Sequence, residues 1–165
     1  MALTISCGGC ALKYEYKIYK MFKHGCKFYD CAIMCQDVHE LRDHFDFKVP
    51  EIVNMAFSCE VFLKTIIVIE GKEVRGHKLK ELWNEINSCH AQKIMDELML
   101  VTELEQDDIL TSIENISNAF AEWRYLYEVK GRSIYIGFLN DFAWVLREQV
   151  CKILYKRTYK EYKGI

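Results

Sequence analysis

The chain reads as an all-α protein, an up-and-down antiparallel bundle of about five helices, and three observations predict it. One proline and eight glycines in 165 residues leave few places to turn, which suits long helices joined by short loops. Residues 50 to 69 are apolar on nearly every side of a helical wheel, the pattern of a helix buried all round. Ile109, Ile113, Ile116, Phe120, Trp123 and Tyr127 step by four and three, which is one buried seam. A chain of this length, 51% hydrophobic and 13% aromatic, forms one domain with a core that needs no disulfide or metal.

Residues 1–10 carry glycines and the pair Cys7 and Cys10, and read as irregular. From Ala11 to about Phe45, Ile18, Met21, Phe22, Phe28, Tyr29, Ala32, Met34, Val38 and Leu41 recur at helical spacing, giving one long helix or two with a break near Gly25. Asp46 to Val49 connect. Pro50 then fits a first helical turn, where its missing N–H costs nothing. The central helix that follows carries Asn54, Ser58, Glu60, Lys64 and Thr65, too many polar residues for a bilayer span of ~20 apolar residues, so it is read as the middle of a soluble bundle.

Gly71 and Gly76 mark a turn. Leu79 to Cys89 forms a shorter helix, which Ala91 to Val101 either continues or follows as a separate one. Thr102 to Asp108 is acidic, as befits a helix start, and the seam from Ile109 to Tyr127 is one helix. Val129 to Arg132 turn the chain into a last helix, with Phe138, Phe142, Val145, Leu146, Val150, Ile153 and Leu154 on its apolar face. No repeat or linker divides residues 1–165.

A net charge of −2 and a pI near 6.2 exclude nucleic-acid binding by bulk charge, so any basic surface must be local. The cationic stretch is the tail, where Lys152, Lys156, Arg157, Lys160 and Lys163 face one acid, Glu161. The tail, residues 156–165, reads as a solvated helix end suited to the dipole, with a phosphate-contacting segment as the alternative. The first dozen residues lack the cationic and apolar regions of a signal peptide, which leads us to expect a cytoplasmic protein with reduced thiols and no membrane anchor.

Among chemical motifs, Cys7-x-x-Cys10 has zinc-like spacing, and His24, Cys26, Cys31, Cys35 and His39 follow. Cys31, Cys35 and His39 would span ~12 Å along one helix face, too far to share an ion, so a site would need Cys31 and Cys35 closed by Cys7 and Cys10. The expectation is no metal and no cofactor, with the thiols packed as small hydrophobes. No serine or cysteine has a base at a recognisable catalytic spacing. The acids Glu103, Glu105, Asp107 and Asp108 read as a solvated helix start. His77 stands at a helix entrance, where it caps the chain or meets a partner. Arg124 lies among aromatic residues with Glu122 and Glu128 nearby, either in a surface ion pair or held at a cleft for a phosphate.

Three segments together resemble the HEPN family of prokaryotic all-α domains: Ala56 with Cys59-Glu60-x-x-Leu63-Lys64, Gly76-His77-x-Leu79-x-x-Leu82, and Arg124-Tyr125. The resemblance covers Pro50 to Glu128. It implies a HEPN-like bundle in a toxin–antitoxin or defence setting, a homodimer, RNA or a nucleotide as ligand, and a nucleotidyltransferase or antitoxin as partner. Catalytic members resemble one another in an arginine followed after four to six residues by a histidine. Arg124 occupies the arginine's place, but Val129, Lys130 and Gly131 stand where the histidine would be. The resemblance therefore implies a diverged, non-catalytic module whose shared groove is lined by Arg124, Tyr125, Tyr127 and Glu128, with His77 as a further binding residue. The alternative it implies is a metal-independent endoribonuclease with a degenerate site of Arg124 and Glu128.

Overall fold

The structure, a computed structural model, describes residues 8–41, 47–124 and 135–164. Among these the protein is all-helical, in eight segments: α1 (Gly8–Leu41), α2 (Lys48–Ile69), α3 (Leu79–Glu85), α4 (Ser88–Thr102), α5 (Gln106–Asn115), α6 (Ala119–Trp123), α7 (Ile136–Tyr155) and α8 (Tyr159–Lys163). The expected five resolve into four long helices and four short pieces. Helix formation also starts earlier than expected, at Gly8 and at Lys48, which leaves Pro50 within the first turn of α2.

Helix α2 is the centre. It packs against α1, α3, α6 and α7, and Ile52, Met55, Ala56, Cys59, Phe62, Leu63, Ile66 and Ile67 are all buried. By length and composition α2 would pass for a membrane span, so its polar residues do not exclude one as expected. In the fold, 72% of its most apolar window is buried against protein. Ser58 and Thr65 fit this interior because their hydroxyls donate back to the carbonyls of Met55 and Val61, both at 2.7 Å.

Helix α1 runs antiparallel to α2, with the Tyr14 hydroxyl donating to the carbonyl of Val68 and Phe28 meeting Phe57 further along. It passes through Gly25 without a break. Gly25 is the point of closest approach, where a Cβ would stand 2.6 Å from the ring of Phe62.

Gly71 and Gly76, at φ +77 and +84, turn the chain from α2 toward α3. The helix expected over Ile109 to Tyr127 is interrupted at Ile116 to Asn118, and the reason is tertiary. Ser117 carbonyl accepts the Leu79 N–H and Ser117 Oγ accepts the Lys80 N–H, each at 3.0 Å, so the break caps the start of α3, whose own N-cap, Lys78, makes no side-chain cap. Ile109, Ile113 and Ile116 keep their place in the core. Ala91 to Val101 belongs to a separate helix, capped by Asn87 Oδ1 accepting from the His90 N–H.

The tail is not a frayed helix end. Lys156 takes a left-handed conformation (φ 56), and Thr158 and Glu161 form a capping box that starts α8. Tyr159 is buried there, and with Tyr155 and Tyr162 it packs around Phe22 of α1.

Candidate nucleic-acid interface

The first half of α1 has a composition unlike the rest of the chain. Between Lys13 and Lys27 the sequence holds Lys13, Lys17, Lys20, Lys23 and Lys27 with Tyr14, Tyr16 and Tyr19, against a single acid, Glu15. Because Lys17, Lys20, Lys23 and Lys27 recur every three or four residues, the helix gathers them along its outer side. Lys17, Lys20 and Lys27 are exposed, and so are Tyr14, Tyr16 and Tyr19. Lys20 and Lys23 lie over the rings of Tyr16 and Tyr19, at 4.4 and 5.9 Å, which holds ammonium and ring side by side in solvent. The reading of the tail as the cationic stretch missed this surface. Its signal in the sequence is the helical spacing of the lysines, which never forms a run.

Along the seam between α1 and α2 lies a row of three shallow cavities. The first, of 380 Å³, is lined by Tyr14, Lys17, Gly71, Lys72 and Glu73, among others. The second, of 310 Å³, lies between Lys20, His24, Val61 and Lys64, and the third, of 220 Å³, between His24, Lys27, Phe28 and Asn54. Lys17, Lys20, Lys27 and Lys64 thus line these cavities together with Tyr14, His24 and Phe28.

From His24 a ladder of rings crosses the bundle to Arg124. His24 meets Phe28 edge-on (4.9 Å), Phe28 meets Phe57 (4.5 Å), and Phe57 stacks on Phe120 (4.7 Å). The Arg124 guanidinium lies over Phe120 at 4.3 Å, and its Nε donates to the Phe120 carbonyl at 3.1 Å. Arg124 is exposed at the end of α6, so the residue singled out in the sequence is held on an aromatic ring and joined through three more to the basic face of α1.

His77 reaches the same stretch of α2. Its Nδ1 lies 2.9 Å from Glu60 Oε1, which also accepts from Lys64 Nζ at 2.8 Å. Glu60 is buried and His77 is 70% exposed, so the carboxylate positions a lysine of the groove and a histidine in solvent together. Tyr125, Tyr127 and Glu128 lie outside the described residues, as does Cys7, and the side chain of Cys10 is likewise not described.

Cys31 is exposed on α1 with Cys35 one turn on, and among the described residues no group of three or more His, Cys, Asp or Glu stands close enough to hold a metal. Burial pushes the thiols of Cys26 and Cys151 up to about 11 and raises that of Cys59 further, so these three behave as core hydrophobes. Compared with protein-family models, with curated proteins and with solved structures, the chain matches none.

Proposed function

We propose that this protein is a non-catalytic RNA-binding helical module, a diverged HEPN-like bundle of up-and-down antiparallel order, whose RNA surface is the basic, tyrosine-bearing side of α1. The observation that carries the reading is the gathering of Lys17, Lys20, Lys23 and Lys27 with exposed Tyr14, Tyr16 and Tyr19 on α1, beside cavities at His24, from which the ring ladder leads to Arg124. Single-stranded nucleic acid is bound by this pairing, because phosphates follow the cations while bases stack on rings of any sequence. Arg124, held over Phe120 at the far end of the ring ladder, suits a phosphate there. Homodimer formation, the cytoplasm, and a prokaryotic defence or toxin–antitoxin setting with an antitoxin or nucleotidyltransferase partner complete the proposal on the strength of the resemblance.

Fluorescence anisotropy with a labelled single-stranded RNA tests it. Four lysine contacts predict that log K falls with log salt at a slope of about −3, from the ~0.7 counterions released per single-strand phosphate contact. The double variant Lys20→Ala, Lys23→Ala should halve that slope, and Arg124→Ala should weaken binding several-fold. Salt-insensitive binding, or none at low salt, overturns the reading. Incubation with total RNA decides the catalytic question: cleavage lost in Arg124→Ala would establish the endoribonuclease instead.

A further inference from the structure

A second site stands where α1, α7 and α8 meet. The guanidinium of Arg147 lies between two tyrosine faces, with its Cζ 4.1 Å from the ring centre of Tyr29 and 4.1 Å from that of Tyr159. Two aromatic faces fix the plane of the fork but use none of its hydrogens. The nearest carboxylate oxygen, Glu148 Oε1, is 3.6 Å away, beyond a good hydrogen bond, while Glu148 Oε2 accepts the Tyr159 N–H at 2.9 Å. Arg147 Nε is buried and has no hydrogen-bond partner among the described residues. A guanidinium only 11% exposed is therefore oriented with its donors under-used.

The side chain borders a cavity of 790 Å³ that also takes in Lys160, Lys163 and Trp144. Lys163 Nζ lies 5.7 Å from the Tyr159 ring, the ring that also bears Arg147, and both cations line this cavity. Of the other charges lining the cavity, Lys152 is held by both oxygens of Glu97, and Glu148 is engaged as described, leaving Asp30 as the acid an incoming anion must approach. An anion in the cavity would offset the like charge of Arg147, Lys160 and Lys163.

The geometry points to a binding site for a small phosphate monoester. Arg147 presents the planar fork that pairs with two phosphate oxygens, and Lys160 and Lys163 supply the compact charges for the third. Trp144, 36% exposed on the rim, offers a surface for the group esterified to the phosphate. This site is built by α7, α8 and the stretch of α1 around Tyr29 and Asp30, shares no lining residue with the RNA surface at Lys17 to Lys27, and stands whether or not that surface binds RNA.

The test is titration of the full chain with inorganic phosphate and, separately, adenosine monophosphate, against potassium chloride at equal ionic strength. Binding is read by tryptophan fluorescence and by broadening of the ³¹P resonance. Saturable binding is expected with both, at least tenfold tighter for the nucleotide if its base rests on Trp144; equal affinities assign the site to free phosphate. Arg147→Lys, which keeps the charge and loses the fork, and Lys163→Ala, on the exposed side of α8, should each weaken binding at least tenfold while helix content is unchanged. Lys20→Ala, Lys23→Ala should leave it intact. No saturable signal with either probe, or unaltered affinity in folded Lys163→Ala, overturns the site.

Discussion

Gly25 of α1 lies against the ring of Phe62 of α2, so close that a Cβ would stand 2.6 Å from Cε1 and 2.8 Å from Cδ1. Phe62 is fully buried and has nowhere to retreat. In an exposed helix, glycine to alanine would gain ~1 kcal/mol, but overpacking a filled core costs about 1–3 kcal/mol, so Gly25→Ala should lose up to about 2 kcal/mol net. The urea midpoint should fall with an unchanged m-value, and Phe62→Leu should recover part of the loss when combined with Gly25→Ala, as coupled neighbours do. A Gly25→Ala protein more stable than the parent would show that the two helices are not held at this distance.

Ser117→Ala should cost about 0.5–1.5 kcal/mol, the usual net worth of one hydrogen bond, because it removes the Oγ that accepts from Lys80 and leaves an N–H of the first turn of α3 without its partner. The Leu79 bond to the Ser117 carbonyl is backbone and survives. Hydrogen exchange should accordingly quicken at the start of α3 and not in α5; a uniform change across both helices would contradict this assignment.

Glu70 joins the end of α2 to the start of α4. It accepts from Lys72 Nζ (2.7 Å) and the Asn87 N–H (3.1 Å), and lies 2.8 Å from His90 Nδ1. Burial acts to raise its carboxyl, but the contacts from Lys72, His90 and Asn87 outweigh it and hold it below its ordinary 4.5. A carboxyl lowered by folding contributes stability that is fully present above its unfolded value and is lost as pH falls through the folded one. The protein should therefore lose stability below about pH 4.5, and Glu70→Gln should be less stable at neutral pH but flatter over that acid range. Urea midpoints measured from neutral to roughly pH 3 check this, and identical acid limbs would refute it.

What the sequence made legible was whatever depended on neighbours along one helix. The central position of α2 follows from its apolar residues on every side, and the inward face of α7 from Phe138, Phe142, Val145 and Leu146. What it concealed depended on contacts between helices. Ile109 to Tyr127 is periodic enough for one helix, yet the start of α3 needs acceptors, and Ser117 supplies them by leaving helical geometry. The cations of the tail are exposed, as read, but its anchoring was hidden, since Tyr159 and Tyr162 meet Phe22 only in the folded chain. The lysines of α1 escaped notice because they are spaced by the helix and interleaved with tyrosines. Arg147 gave no sign at all, since Tyr29 and Tyr159 meet it only in the folded chain.

The enclosure of Phe22 by Tyr155, Tyr159 and Tyr162 also sets an order of events during synthesis. Helix α1 leaves the ribosome well before the rings that cover its central phenylalanine, which are translated more than a hundred residues later. At roughly 5–20 residues per second that interval lasts many seconds, during which Phe22 is without its cover. The nascent chain can pair α1 with α2 early, because they are adjacent in sequence, but it cannot close the core until α8 has emerged. A ribosome stalled before Tyr155 would thus hold a chain with its first helix still open to chaperones.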